Sequence, residues 1–261
     1  MNLNLTDKVI IVTGGGSGIG EAIVREAVEE EAIPIIVNRS REKGEALENE
    51  LLEKGHSCLF VQADLSQKEA CRKVIEEAVE KFGKIDVLVN NAGYNDSVGL
   101  ENGSPEQFME SIQSNIFHYY TLAHYALPYL IKSKGNIINI SSKTAITGQG
   151  NSSAYIASKA GQLGLTREWA VELLPYGIRV NAVLPAEVMT PMYRGWLDTY
   201  DHPEEKLKEI TSRIPLGQRM TTPEEIAYTV LFTASDKSAH TTGQYLFPDG
   251  GYTHLDRAIG S

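Results

Sequence analysis

KVIIVTGGGSGIG, from Lys8 to Gly20, passes from a short apolar, β-branched run into a cluster of glycines, and a helix-patterned segment follows from Glu21 to about Glu31. The run from Lys8 to Thr13 shows no polar alternation, as expected of a strand covered on both faces. The glycines that follow let the backbone turn tightly and approach a ligand. The start of the next helix offers unpaired N–H groups and positive potential. Strand, turn and helix start together form a cradle for a phosphate. A glycine cluster alone is weak evidence for a nucleotide site; its place directly after the first strand strengthens it.

Working outward, the same alternation repeats along the chain. Strands are expected at Pro34 to Asn38, Ser57 to Gln62, Asp86 to Asn90, Asn136 to Ile140, Arg179 to Leu184 and Gln244 to Pro248. Helical patterns fill the gaps at Glu42 to Lys54, Gln67 to Phe82, Pro105 to Lys132, from about Asn151 or Ser153 to Leu174, and from Thr222 onward. Ser104 before Pro105 reads as a cap, and Thr222 with Glu225 as a capping box. Alternating strands and helices predict a parallel sheet wrapped on both faces. The expected class is therefore α/β: a single-domain Rossmann-type, doubly wound parallel sheet of about seven strands, spanning 1–261. The stretch from Pro185 to Met220 is irregular, with Pro191, Gly195, Pro203 and Pro215. Long insertions of this kind are commonly binding loops, so about 186–220 is expected to form a substrate flap.

Composition narrows the function. The 261 residues are 42% hydrophobic, enough for one sizeable core, and carry a formal charge of -10. An acidic chain without a polybasic patch is not expected to bind nucleic acid or an anionic membrane surface. Cys58 and Cys71 have neither a CxxC nor a metal-ligand spacing, so no metal is expected. With no leader pattern and no run of 18 apolar residues, the expected location is the cytoplasm.

The chemistry concentrates between Ser141 and Lys159. Tyr155 and Lys159 stand four residues apart, on one face of the expected helix, so phenol and ammonium converge. A free phenol has a pKa of about 10, and a neighbouring cation stabilises its anion, so Lys159 is expected to make Tyr155 a better base. After the second strand the chain reads Asn38-Arg39-Ser40, without the acidic residue that holds ribose hydroxyls in NAD sites. Arg39 either faces a 2′-phosphate, which favours NADP, or is simply solvated. Asp64 ends the third strand and either accepts from an adenine amino group or caps its loop. Asn90-Asn91-Ala92-Gly93 ends the fourth. Asn115 lies among apolar residues of the long helix, where it must find hydrogen-bond partners, either by loosening the helix and holding a water or as a satisfied structural amide.

In this order the residues resemble the classical short-chain dehydrogenases/reductases. The resemblance rests on Thr13-Gly14 with Gly18 and Gly20, Asp64, Asn90 to Gly93, Asn115, Ser142 and Tyr155 with Lys159, and covers about residues 5 to 252. Ser142 stands thirteen residues before Tyr155, as the family expects; Pro185-Ala186 replaces its usual Pro-Gly. The resemblance implies hydride transfer at a nicotinamide, with Tyr155 as general acid/base, Lys159 holding the nicotinamide ribose, Ser142 orienting the reacting oxygen and Asn115 seating a relay water. It places Gly14, Ser17, Gly18 and Ile19 at the pyrophosphate, and Arg39, Asp64, Leu65, Asn91 and Val188 around the two ends of the cofactor, NADP in preference to NAD. Family members are usually homotetramers. The segments SSKTAITGQGNSSAY, LTREWAVEL, PAEVMTPMYRGW, HTTGQYLF and DGGYTHLDRA further resemble bacterial L-fucose dehydrogenases, sugar-oxidising members of the family. That likeness implies a sugar substrate, with Asn95, Asp96, Lys143, Gln149, Glu187 and Trp196 supplying polar groups and one flat aromatic around the reacting carbon.

Overall fold

The computed structural model describes residues 2–255; the end of the tail, 256–261, lies outside them, and with it the last three residues, 256–258, of the final sugar-dehydrogenase-like segment. In chain order the elements are β1 (Val9–Thr13), α1 (Gly18–Glu29), β2 (Ile33–Asn38), α2 (Arg41–Glu53), β3 (Leu59–Gln62), α3 (Lys68–Phe82) and β4 (Val87–Asn90). Then come α4 (Pro105–Ile112), a π-helical turn (Gln113–Phe117), α5 (His118–Ser133), β5 (Asn136–Ile140), α6 (Thr144–Thr147), α7 (Ser153–Glu172) and β6 (Arg179–Val183). The flap region carries α8 (Pro191–Leu197) and α9 (Pro203–Thr211), followed by α10 (Pro223–Ala234) and β7 (Tyr245–Leu246).

The strands form one seven-stranded parallel sheet in the order β3-β2-β1-β4-β5-β6-β7. This is the single-domain Rossmann-type arrangement expected from the alternation of strands and helices. Within β1, Ile10 and Val12 face a layer that includes Ile23, Val24, Leu47 and Val230, contributed by α1, α2 and α10. Val9 and Ile11 face the opposite layer, with Val74, Leu122 and Trp169 from α3, α5 and α7. A strand covered on both sides must be apolar at every position, and burying each such side chain is worth about 1.5–3 kcal/mol. At the amino end of the central pair, the Asp86 carboxylate accepts from the Val9 N–H at 2.9 Å and pairs with Lys8 and Lys84.

Two elements differ from the plain strand and helix pattern, and the first is the loosening at Asn115 that the sequence left open. The long helix over Pro105 to Lys132 is broken by the π turn around Asn115. There the Asn115 side chain donates to the Ser111 carbonyl at 3.1 Å and accepts from the Tyr94 N–H at 2.9 Å, so a side-chain amide competes with the regular backbone ladder. The last strand is also shorter than Gln244 to Pro248, with only Tyr245 and Leu246 paired to β6.

Candidate active site

From β1 the chain winds outward to β3 on one side, and from β4 outward to β7 on the other. The order therefore reverses between β1 and β4, where the helices leave on opposite faces and a crevice opens above the strand ends. A cleft of about 790 Å³ fills that position. Thr13, the last residue of β1, holds its two walls together. Its hydroxyl accepts from the N–H groups of Asn91 (2.8 Å) and Ala92 (2.9 Å), and its carbonyl accepts from the Asn91 side chain at 2.8 Å.

One end of the cleft is the glycine turn. Gly14 has φ +67°, a conformation that costs other residues energy. Gly20 lies so close to the Gly14 carbonyl oxygen that a Cβ has no room. The start of α1 is left without a side-chain cap from Ser17, so its first N–H groups point into an open cradle. Gly14, Ser17, Gly18, Ile19, Arg39, Asp64, Leu65 and Asn91 all line the cleft, joined by Ser40 and Lys43, which the sequence reading did not single out. The exposed Asp64 carboxylate accepts from Ser66 at both N–H (3.1 Å) and hydroxyl (2.8 Å), so at present it caps its own loop.

At the other end stand Tyr155 and Lys159. The Lys159 ammonium lies 5.6 Å from the centre of the Tyr155 ring and donates to the Ile140 carbonyl at 2.8 Å. Its backbone carbonyl accepts from the Ser141 hydroxyl at 2.8 Å. Burial pushes the Lys159 amine down to about 7. It also pushes the Tyr155 phenol up to about 12, while the neighbouring Ser142 hydroxyl pulls the other way. In the protein alone, desolvation of the phenolate outweighs the stabilisation that Lys159 supplies; the expected lowering is that of Lys159 acting together with a cationic nicotinamide. Ser142 lies two residues beyond β5, its Oγ accepting from the Thr144 hydroxyl at 2.9 Å. Asn115 is fully buried; its carbonyl accepts from the Gln162 side chain at 2.8 Å. His118, one turn further on, also lines the cleft. Its Nε2 lies 3.1 Å from the Ala92 carbonyl, and burial, reinforced by the Lys159 charge, pushes the ring down to about 3, so it is neutral.

Two groups of the expected site residues lie outside the lining of the cleft. The Val188 side chain is buried in the core and its backbone pairs with Thr221; Thr190, Pro191 and Met192 take its place on the cleft wall. Of the residues expected around the substrate, Asn95 lines the cleft, whereas Asp96, Lys143, Gln149, Glu187 and Trp196 do not. Asp96 keeps a buried, unpaired Oδ1, the exposed Gln149 donates to Ser152 at 3.3 Å, and Trp196 packs edge-on against Tyr193 and Tyr200. Lys143 and Glu187 are drawn into each other: their ion pair is 2.7 Å long, with both side chains more than four-fifths buried. The second Glu187 oxygen accepts from the Tyr193 hydroxyl at 2.7 Å, and the Lys143 ammonium sits 3.5 Å above the Tyr252 ring. This cluster joins the segments after β5 and β6, α8 and the tail beside the cleft. Tyr193 and Tyr252 carried no local signal. His118 and Tyr119, three and four residues beyond Asn115, were open to the same spacing argument that paired Tyr155 with Lys159.

These residues fit a dinucleotide, on the cradle that tolerates no added Cβ at Gly20 and on a cleft running continuously from Arg39 to Lys159. A family model described as enoyl-(acyl carrier protein) reductase matches residues 14–253. The L-fucose dehydrogenase of Bos taurus is 36% identical over 252 residues, 96% of this chain and 91% of that protein. The 3-oxoacyl-[acyl-carrier-protein] reductase of Thermotoga maritima is 38% identical over 250 residues, covering 95% and 99%. Among solved structures, the Cj0485 dehydrogenase superposes with a TM-score of 0.93 at 47% identity, covering 99% and 98% of the two chains. The Thermoplasma acidophilum aldohexose dehydrogenase gives 0.88 at 33%, covering 97% and 96%. With the glycine cradle, the Tyr155 and Lys159 pair and these likenesses in agreement, the chain belongs to the short-chain dehydrogenase/reductase family, NAD(P)-dependent oxidoreductases acting on CH–OH groups.

Proposed function

We propose that the protein oxidises the anomeric hydroxyl of L-fucose or a related aldose to the lactone, with NADP preferred to NAD. The observation that carries the sugar reading is the cluster of Lys143, Glu187, Tyr193 and Tyr252 beside the catalytic end of the cleft. Its charges cancel within the ion pair, and Glu187 is engaged by Lys143 and Tyr193, which leaves the cluster polar and neutral overall. A site of that kind suits a neutral, hydroxyl-rich molecule and rejects analogues that leave its polar groups unpaired. The likeness to the L-fucose and aldohexose dehydrogenases points the same way. Asn95 on the cleft wall, and Tyr193 from the region over about 186–220, lie toward the same end.

A nicotinamide held in the cleft would supply the hydride acceptor. Ser142 orients the sugar oxygen while Tyr155 Oη takes its proton, so that the C–H electron pair leaves as hydride and a carbonyl remains. Lys159 holds the nicotinamide ribose. Its charge, together with that of the oxidised nicotinamide, opposes the burial that keeps the phenol neutral in the free protein. Asn115 seats a water that passes the proton outward. Gly14, Ser17, Gly18 and Ile19 hold the pyrophosphate, and Arg39 takes the 2′-phosphate.

Steady-state rates on L-fucose, L-galactose and D-arabinose with each cofactor test the reading: turnover supports it, and none with either cofactor removes the sugar. In the same assay Tyr155→Phe is expected to lose at least about a hundredfold in kcat while still binding NADPH. A second reading, reduction of a 3-oxoacyl thioester on a carrier protein, is favoured by the 38% identity to the Thermotoga maritima reductase. The net charge of -10 weighs against docking an acidic carrier. Turnover of a 3-oxoacyl thioester but not of sugars would select it.

A further inference from the structure

Lys159 is a fully buried cation, and the ion pairs found among the described residues do not include it. Its charge therefore rests on neutral dipoles, and each of these matters more than it would beside a carboxylate. From β5 comes the Ile140 carbonyl, 2.8 Å from Nζ. From α5 comes Tyr119, itself fully buried, whose hydroxyl donates to that same carbonyl at 2.9 Å and lies 3.5 Å from Nζ. Because the Tyr119 O–H is committed to Ile140, the phenol presents a lone pair to the ammonium. The cation stands between two phenol rings, 5.7 Å from the centre of Tyr119 and 5.6 Å from that of Tyr155. Two further neighbours, His118 and Asn115, are uncharged. His118 packs against Tyr119 with ring centres 4.8 Å apart and bonds to Ala92, while Gly93, where an added Cβ would lie 3.6 Å from Nζ, packs beside Asn115 Oδ1.

We propose that Tyr119 is a positioning residue for Lys159: its hydroxyl, anchored on the Ile140 carbonyl, completes a two-acceptor cradle that sets the place and charge of the ammonium beside Tyr155. Tyr119 does not touch the reacting atoms. It acts through Lys159, whose charged form holds the nicotinamide ribose and draws the Tyr155 phenol toward its anion. The inference rests on the oxidoreductase reading, and is independent of which alcohol is oxidised.

Tyr119→Phe keeps the ring in the core and removes only the hydroxyl. NADPH affinity, followed by cofactor fluorescence between pH 5.5 and 9, is expected to fall in wild type as Lys159 loses its proton near its lowered value of about 7. In Tyr119→Phe the midpoint is expected to move down by about one pH unit, a tenfold loss of proton affinity. On any alcohol the enzyme turns over, the rising limb of the pH profile moves to higher pH and kcat falls several-fold with KM little changed. Tyr119→Met, also without the hydroxyl, is expected to show the same midpoint shift. Unchanged midpoints in variants that melt like wild type, or no wild-type titration in this range, would overturn the proposal. Failure of both variants to fold would likewise overturn it and assign Tyr119 to core packing. Absence of sugar turnover leaves the NADPH titration intact, so the substrate reading and this inference fail separately.

Discussion

Lys159 and Tyr155 are tuned by the same burial in opposite directions of charge. The Lys159 amine stands at about 7 against an ordinary 10.5. Between those values the unfolded chain holds a proton that the folded chain lacks, so stability rises with pH across that window. Below about 7 both states are protonated and the cost of the buried cation is present in full. Tyr155 works with the other sign: from its ordinary 10 to about 12 the unfolded phenol ionises first and stability falls. Lys159→Met keeps the stem and removes the charge. It is expected to be more stable than wild type at about pH 6.5 and to lose most of that advantage by about pH 10, read as the midpoint of urea unfolding. An advantage independent of pH would mean that the amine is not held down by burial. Residue spacing foresaw that these two groups meet. It did not foresee which influence wins, because desolvation depends on everything packed around them.

At the scale of elements, the turn from β1 into α1 is set by backbone proximity more than by side chains. A methyl group in the middle of a helix normally helps by about 1 kcal/mol relative to glycine. At Gly20 it would meet the Gly14 carbonyl oxygen, a backbone atom that cannot swing away. Gly20→Ala is therefore expected to cost about 1–3 kcal/mol net and to weaken NADPH binding, measured by denaturant midpoint and fluorescence titration. A neutral or stabilising effect would show that the turn has slack. After β2, the exposed Arg39 and Lys43 line the cleft at the end proposed for the adenosine. Losing a charge-assisted bond to a 2′-phosphate is worth about 1.5–3 kcal/mol, so Arg39→Asp is expected to raise the NADP KM by about tenfold or more and the NADP effect to exceed the NAD effect. Equal effects would show that Arg39 does not read the phosphate. That Asn115 could loosen its helix was legible from an amide among apolar residues; that the loosening takes the form of a π turn was not. The pattern from Pro105 to Lys132 reads as one helix because its apolar spacing survives the break, and only the Tyr94 N–H from another loop reveals where Asn115 is engaged.

For the whole molecule, large apolar side chains remain uncovered on α4, α5 and α7: Met109 is 62% exposed, Tyr120 57% and Val171 67%. Apolar groups repeated over neighbouring helices favour association, and the expected state is a homotetramer pairing the helices that carry Asn115 and Tyr155. Light scattering on the eluting peak is expected to give four times the chain mass, and a monomer mass would count against it. The sequence by itself determined the α/β class, the strand and helix order, the glycine cradle and the Tyr155 and Lys159 pair, because each is written in local spacing: apolar runs, turn residues, and positions one helical turn apart. The tertiary structure alone decided that Lys143 closes onto Glu187, 44 residues away, that Tyr252 from the tail lies against the same lysine, that Val188 turns into the core, and that Tyr119 stands beneath the Lys159 ammonium. Contacts between distant segments leave no period in the chain; they follow from which strand ends the sheet order gathers around one crevice and from which charges can find a partner when water is excluded.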